Sequence, residues 1–282
     1  MANSGWSWYL FAVPAIHIGR MRSTAVVVNY RGGEAQQFLQ HAVRRVKASI
    51  NKAQALVVPS GYLRQVFQQF GMAVVVVPNI VDLDRFRYRQ RKAIPDNATD
   101  TIELFFPRHL EYIYGADLAI EAVAQLKSKY PGLKLKLAGA GPEHNKLKQM
   151  TEDLQVADRV EFLGSMSPDQ MVEAYQSAHI VINPSRVDNM PNALIESLAC
   201  GTPVVACRVG GVPFMANHGE QALLVTAEKV DELKEAIDTL IRQPDLYESL
   251  RQQGRQHVEQ WGWQTVRAMW LEVYQQALTE NR

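Results

Sequence analysis

Short apolar runs rich in β-branched residues recur along the chain, and between them lie longer stretches in which apolar residues return every three or four positions. That alternation predicts parallel strands with helices packed on their faces. The first part offers strands at 24–30 (TAVVVNY), 55–60 (ALVVPS) and 73–79 (AVVVVPN). Residues 84–100 are polar, charged and broken by Pro95, and read as a linker. Six further strands follow at 102–107, 133–138, 160–164, 179–184, 203–206 and 222–225. Six suffice for a doubly wound domain, in which ligands bind beyond the carboxyl ends of the strands. Residues 263–278 predict a closing helix, with Val266, Trp270, Val273 and Ala277 on one face. The fold class is therefore α/β, with two Rossmann-like domains built on parallel sheets. We divide it as 1–95, a partial domain of three strands; 96–262, a complete one; and 263–282, a helix packing back across both.

The opening segment WSWYLFAVPAIHIG, residues 6–19, is apolar but too short to span a bilayer. No basic residue precedes it and no small-residue cleavage site follows, so it does not read as a signal peptide. Trp6, Tyr9, Leu10 and Val13 fall at helical spacing and predict a buried helix, with monolayer insertion as the alternative.

The 282 residues carry a net charge of +1, which hides an asymmetry. Residues 1–95 hold 13 Lys and Arg against 3 Asp and Glu, whereas the remainder holds 17 against 26. The basic half, with clusters at Arg44, Arg45, Lys47, Lys52 and at Arg85, Arg87, Arg89, Arg91, Lys92, faces either an anionic surface or acceptor, or the acidic half of its own chain. Aromatic residues are not interleaved with the basic runs and no nucleic-acid motif is present, which argues against nucleic acid as a partner. Cys200 and Cys207 form neither a disulfide framework nor a metal pattern, so a reduced, cytoplasmic setting is expected, with membrane association at the inner face as an option.

The most informative stretch is DNMPNALIESLACGTPVVACRVGGVP, from Asp188. An apolar period near 3.6 starts after Pro191 and stops at Gly201, the signature of a helix with its start and stop in place. Its first turn presents unpaired N–H groups and a positive dipole end, a natural seat for phosphate. Asp188 lies in the loop before it and Glu196 about two turns in. Either the two acids flank a bound phosphate and accept hydrogen bonds from hydroxyls of the ligand that carries it, as a nucleotide sugar would require, or Asp188 caps the helix and Glu196 is solvated.

The loops expected at the carboxyl ends of the strands contain Pro107-Arg108-His109, Gly139-Ala140-Gly141-Pro142-Glu143 and Asn183-Pro184-Ser185. With PNIVDLDRF, VADRVEFLG, the acid-x7-acid motif, ESLACGTPVVA and the Gly210-Gly211 pair, their order resembles the retaining glycosyltransferases of the GT-B fold, family 4, over residues 55–280. The resemblance implies a GT-B-like fold whose second domain binds a nucleotide-sugar donor and whose first domain binds the acceptor. It implies no cofactor and no metal, because protein groups neutralise the diphosphate. Matched position by position, Glu196 holds the ribose hydroxyls, Asp188 contacts the transferred sugar and Arg108 grips the diphosphate. Asn189, Met190 and Asn192 supply backbone N–H groups near the phosphates, the loop after Phe162, Leu163 and Gly164 meets the base largely through backbone, and Tyr114, Gly139, Leu163, Gly164, Ser185 and Pro191 are counted with the donor site. The segment NYRGGEA places Arg31 and Glu34 on the acceptor side. His109 and His17 are weaker candidates for contact with substrate.

Three departures from the family pattern stand out. Tyr114 occupies the position of a family lysine, leaving the phosphate clamp short of a positive charge unless Arg186 or Arg208 supplies it. The first acid is Asp188 where Glu is commoner. The resemblance starts in the middle of the family's first domain, which implies an incomplete N-terminal domain, from truncation or from division of the enzyme between two chains. The reading is a glycosyltransferase acting on a glycan or lipid-linked acceptor in surface polysaccharide or glycolipid biosynthesis. The alternatives are a non-catalytic nucleotide-sugar-binding protein, one subunit of a split transferase, or an epimerase on the same fold.

Overall fold

The computed structural model describes residues 2–89, 94 and 99–280. The chain forms two compact units, Met1–Ile80 with Trp261–Arg282, and Val81–Gln260. The expected boundary at residue 95, part of the expected linker, and Arg91 and Lys92 lie outside the described residues.

In the first unit a π-helical turn, Trp8–Ala12, runs into α1 (Val13–Met21), followed by β1 (Val27–Asn29), α2 (Ala35–Ile50), β2 (Ala55–Val58), α3 (Gly61–Gln69) and β3 (Val75–Val76). The three strands pair in parallel in the order β1-β2-β3. Side chains alternate across the sheet, so β2 serves two cores. Leu56 and Val58 join Trp8, Ile16, Leu39 and Phe67 on one face, while Val57 and Val77 meet Val266 and Val273 of the C-terminal helix Trp263–Glu280 on the other. Ser60 starts α3 as its cap, accepting from Leu63 N at 3.3 Å.

The opening helix corrects the sequence reading. Trp8 and Ile16 are its buried anchors, whereas Tyr9 and Val13 are half-buried and Trp6 and Leu10 are exposed. The π-turn explains the shift: i→i+5 hydrogen bonding fits more residues into a turn than the 3.6 assumed, and so rotates the inward face. Leu10, Phe11, Ile18 and Met21 consequently point to water. No helix among the described residues is long and apolar enough to cross a membrane.

The second unit runs β4 (Ile102–Pro107), α4 (Ala116–Leu126), β5 (Leu133–Ala138), α5 (His144–Asp153), β6 (Val160–Gly164), α6 (Pro168–Ser177), β7 (Ile180–Asn183), α7 (Asn192–Cys200), β8 (Val204–Cys207), β9 (Leu223–Val225), α8 (Val230–Arg242) and α9 (Pro244–His257). Its sheet is parallel throughout, in the order β6-β5-β4-β7-β8-β9. From β4 the chain winds outward through β5 and β6, then returns across β4 to lay down β7, β8 and β9. The loops leaving β4 and β7 therefore diverge, and a crevice opens above the pair.

That crevice is bounded by α7, which ends at Gly201 in the left-handed conformation, φ 69°. Arg251, 2% exposed, secures the helix from behind. Its Nε donates to Gly201 O at 3.0 Å, Nη2 to Arg89 O at 2.8 Å, and Nη1 pairs with Glu248 at 2.7 Å. A cation at a helix C-terminus is favourable, and here it also satisfies buried carbonyls. Arg251→Met is expected to destabilise the unit by about 2–3 kcal/mol, because two carbonyls lose a charged donor. An unchanged denaturation midpoint would show that Arg251 does not anchor α7.

Candidate functional site

Arg108, Tyr114, Gly139, Asn192 and Glu196 line one hollow of about 340 Å³. It lies beyond the carboxyl ends of β4 and β5, beside the first turns of α7. Of the sequence-predicted donor residues these five are brought together directly. Two glycine positions allow it. Gly139 has φ 141°, and a Cβ there would lie 2.3 Å from Arg108 O, so only glycine lets the loop after β5 close on the loop after β4. At Gly210 and Gly211 a Cβ would come within 1.9 Å of Asp188 O and 1.6 Å of Asn189 O. Gly211 N instead donates to Asp188 O at 3.1 Å. The pair is thus a seat for the backbone of the acidic loop.

Asp188 is buried, with Oδ2 3.0 Å from Arg108 Nη2 and Oδ1 accepting from Asn189 N at 3.0 Å. Burial raises its pKa, opposed by Arg108 and by the Asn189 N–H. It does not cap α7, whose N-cap is Pro191 without a side-chain bond. Glu196 sits in the second turn, where Oε2 accepts from the Tyr175 hydroxyl at 2.8 Å. Its pKa is also raised by burial, against the lowering effects of that hydroxyl and of Arg108. Glu196 is therefore not the solvated helix residue of the simpler reading. Tyr175 is held edge-on between Phe105 at 5.2 Å and Phe86 at 5.9 Å, and Thr202 Oγ1 donates to its carbonyl at 2.7 Å.

Arg186, a candidate second cation of the clamp, does not line the hollow. It pairs with Asp117 at 2.7 Å and with Glu228, donates to Tyr112 O, and lies 3.8 Å above the Tyr112 ring. The hydrogen bond to Asp117 above all drives its pKa up, and the side chain is held by partners on other segments of the unit. Arg208 is exposed, and it too is absent from the lining. Arg108 is the guanidinium that lines the hollow, beside His109, whose Nδ1 is 3.2 Å from Ala140 O.

The other expected residues lie around this centre. Asn189, Met190, Pro191 and Ser185 are buried in the loop before α7, with Ser185 Oγ donating to Asn183 at 3.1 Å. Leu163 and Gly164 fall one step short of the hollow, which their successors Ser165 and Met166 line, although Gly164 O accepts from Gly139 N at 2.7 Å. Arg31 and Glu34 belong to the other unit. There Arg31 N donates to Ala2 O, and Glu34 edges a second hollow, of about 360 Å³, with Tyr9, Gln37 and His41. His17 contacts Lys52 at 2.8 Å. Sequence reading missed Tyr175 and Met171, and it assigned a role to the loop that Ser165 and Met166 begin without naming them. The one available signal was Tyr175 itself, a tyrosine in a helix beside a predicted strand, whose buried hydroxyl demands a partner.

A doubly wound parallel unit with its crevice at the sheet's reversal, and a second parallel α/β unit in the same chain, are the elements of the GT-B glycosyltransferase fold. HepE of Anabaena, solved in complex with UDP, superposes with a TM-score of 0.81 over 93% of this chain and 75% of its own, at 20% identity. Sucrose-phosphate synthase of Thermosynechococcus elongatus does so with a TM-score of 0.81 over 99% and 73%, also at 20% identity. Residues 87–257 match the profile of the glycosyl transferases group 1, and the chain belongs to that family. A D-inositol 3-phosphate glycosyltransferase of Acidothermus cellulolyticus is 35% identical over 209 residues, 71% of this chain and 46% of the relative. One from Segniliparus rotundus is 27% identical over 276 residues, 94% and 62% respectively. The chain spans about half the length of most of the curated relatives it matches.

Because the Glu196 carboxyl titrates above its ordinary range, the folded chain holds a proton in that window which the unfolded chain has released. Its contribution to stability is present at the acid end and is lost as pH rises through the raised value. Glu196→Gln is therefore expected to match wild type at the acid end of the folded range and to be the more stable of the two near neutrality. A stability difference that does not change with pH would contradict this.

Proposed function

We propose that the chain is a retaining glycosyltransferase of the family 4 type, transferring a sugar from a nucleoside-diphosphate donor to a glycan or lipid-linked acceptor in surface polysaccharide or glycolipid assembly. The observation that carries this is the meeting in one hollow of Arg108, the N-terminal turn of α7 and the Tyr175-anchored Glu196. A guanidinium and a helix N-terminus together stabilise the charge that develops on a leaving diphosphate. Glu196 accepts hydrogen bonds from the ribose hydroxyls, and Asp188, once released from Arg108, accepts from a hydroxyl of the transferred sugar. Charge neutralisation is assigned to these protein groups, with no metal in the scheme. UDP is the first nucleotide to test, because HepE is solved with UDP and with UDP-glucose. An inositol phosphate belongs among the acceptors to be assayed, given the names of the relatives.

The acceptor side of the reading includes peripheral contact with an anionic lipid surface from the cytoplasm. The outward apolar stripe of α1 supports it, together with the exposed Arg20, Arg22, Arg44 and Arg45. Co-sedimentation with anionic vesicles at low salt, lost in Phe11→Ser, is the expected outcome. Equal recovery of both proteins in the supernatant would remove the membrane contact.

A second reading, a subunit completed by a partner polypeptide, is favoured by the outer edge of β1. Among the described residues it is met only at the Ala2–Tyr30 bridge. An uncovered edge is a ready template for another strand.

Calorimetric titration of the full chain with UDP, GDP and their sugars tests the donor site. Glu196→Ala is expected to weaken the preferred nucleotide at least ~10-fold, the scale of a lost hydrogen bond to a charged group. No binding by folded wild type would reject the donor reading. Donor binding with no transfer until a second chain is added would favour the subunit reading.

A further inference from the structure

We propose that Tyr114 is a positioning residue for Arg108, its ring holding the guanidinium where a diphosphate can take it over from Asp188. The proposal rests on the donor reading above and goes beyond it in giving the residue at the lysine position a role of its own.

The guanidinium carbon of Arg108 lies 4.1 Å from the centroid of the Tyr114 ring, and its Nη2 is 3.0 Å from Asp188 Oδ2. The first distance is well inside the range of cation–π attraction, which is strongest where water is excluded. The Arg108 side chain is only 14% exposed. Tyr114 closes a short 3-10 turn, Tyr112–Tyr114, that is held by Arg186. Arg186 N donates to Ile113 O at 2.8 Å, and its Nη1 donates to Tyr112 O at 2.6 Å. The same guanidinium stacks on Tyr112 and is tied to Asp117 in the first turn of α4. The position of the Tyr114 ring is thus set by a buttress that does not involve Arg108. The arginine outside the hollow places the ring, and the ring places the arginine that lines it.

An aromatic face attracts a cation without neutralising it, and it constrains a planar guanidinium in orientation as well as in position. Asp188 is the anion now on Arg108. A diphosphate offers the same kind of oxygen with more charge, so the exchange is anion for anion and the guanidinium need not leave the ring. Orientation of one cation thereby does part of the work that a second cation would otherwise do.

The test uses the full chain, with thermal unfolding as the check on folding, UDP titrated by calorimetry and uridine by ligand-observed NMR. Tyr114→Leu is expected to weaken UDP about three- to tenfold and to leave uridine unchanged, and Tyr114→Phe is expected to restore UDP to within about twofold, as a ring-borne cation–π contact requires. Equal UDP affinity of Tyr114→Leu and wild type would overturn the proposal. So would Phe as weak as Leu, which would make the hydroxyl a direct contact, or parallel loss of uridine and UDP, which would mean collapse of the site. Should Glu196→Ala lose UDP while Tyr114→Leu keeps it, only this inference falls. Should folded wild type bind no nucleotide, the donor reading falls and takes this inference with it.

Discussion

The site depends on bare backbone meeting bare backbone above the sheet. At Gly139 and at Gly210-Gly211, loops from different strands press together more closely than any side chain would permit. The first contact fixes the loop that carries Arg108, and the second fixes the loop that carries Asp188. Everything charged in the crevice is mounted on these two loops or on α7, which takes its direction from the second. The parallel sheet beneath, buried on both faces, supplies the rigidity. The glycines convert that rigidity into a fixed spacing between acid and guanidinium.

Within this frame the electrostatics are self-contained. Asp188 and Arg108 form an ion pair, the Tyr175 hydroxyl donates to Glu196, and Arg186 is absorbed by Asp117 and Glu228. Burial nevertheless leaves both crevice acids reluctant to ionise. Such groups gain more from a ligand rich in hydroxyl donors than solvated acids would, because the ligand returns hydrogen bonds that folding took away. The crevice is therefore polar, with its charged groups placed against partners within the fold.

Much of the fold was legible in the sequence because buried parallel strands write themselves as continuous apolar runs. All nine runs read as strands overlap a strand, with β4, β5 and β6 matching in full, β8 displaced by one residue and the rest shorter than expected. The helix of the acid-x7-acid motif was legible from its punctuation, Pro191 before it and Gly201 after it. What escaped had physical causes. The face of the opening helix was misjudged because Trp8–Ala12 departs from the 3.6 period on which the reading relied. Arg186 looked available because its partners lie 69 and 42 residues away in the chain, and no local pattern announces a pairing of that kind. Tyr175 was passed over because an aromatic in a helix looks the same whether its hydroxyl serves the core or a carboxylate 21 residues on. Arg108, Asp188 and Glu196 were found from the order of the motifs, while their mutual geometry emerged only with the sheet's reversal.

The outward side of the opening helix has a colloidal consequence. Trp6, Leu10, Phe11, Ile18 and Met21, each more than half exposed, form an apolar stretch with no acidic residue before Glu34 to interrupt it. Water does not tolerate such a surface indifferently. In dilute buffer the molecule seeks any apolar phase within reach, whether an air bubble, a plastic wall, a detergent micelle or a neighbouring copy.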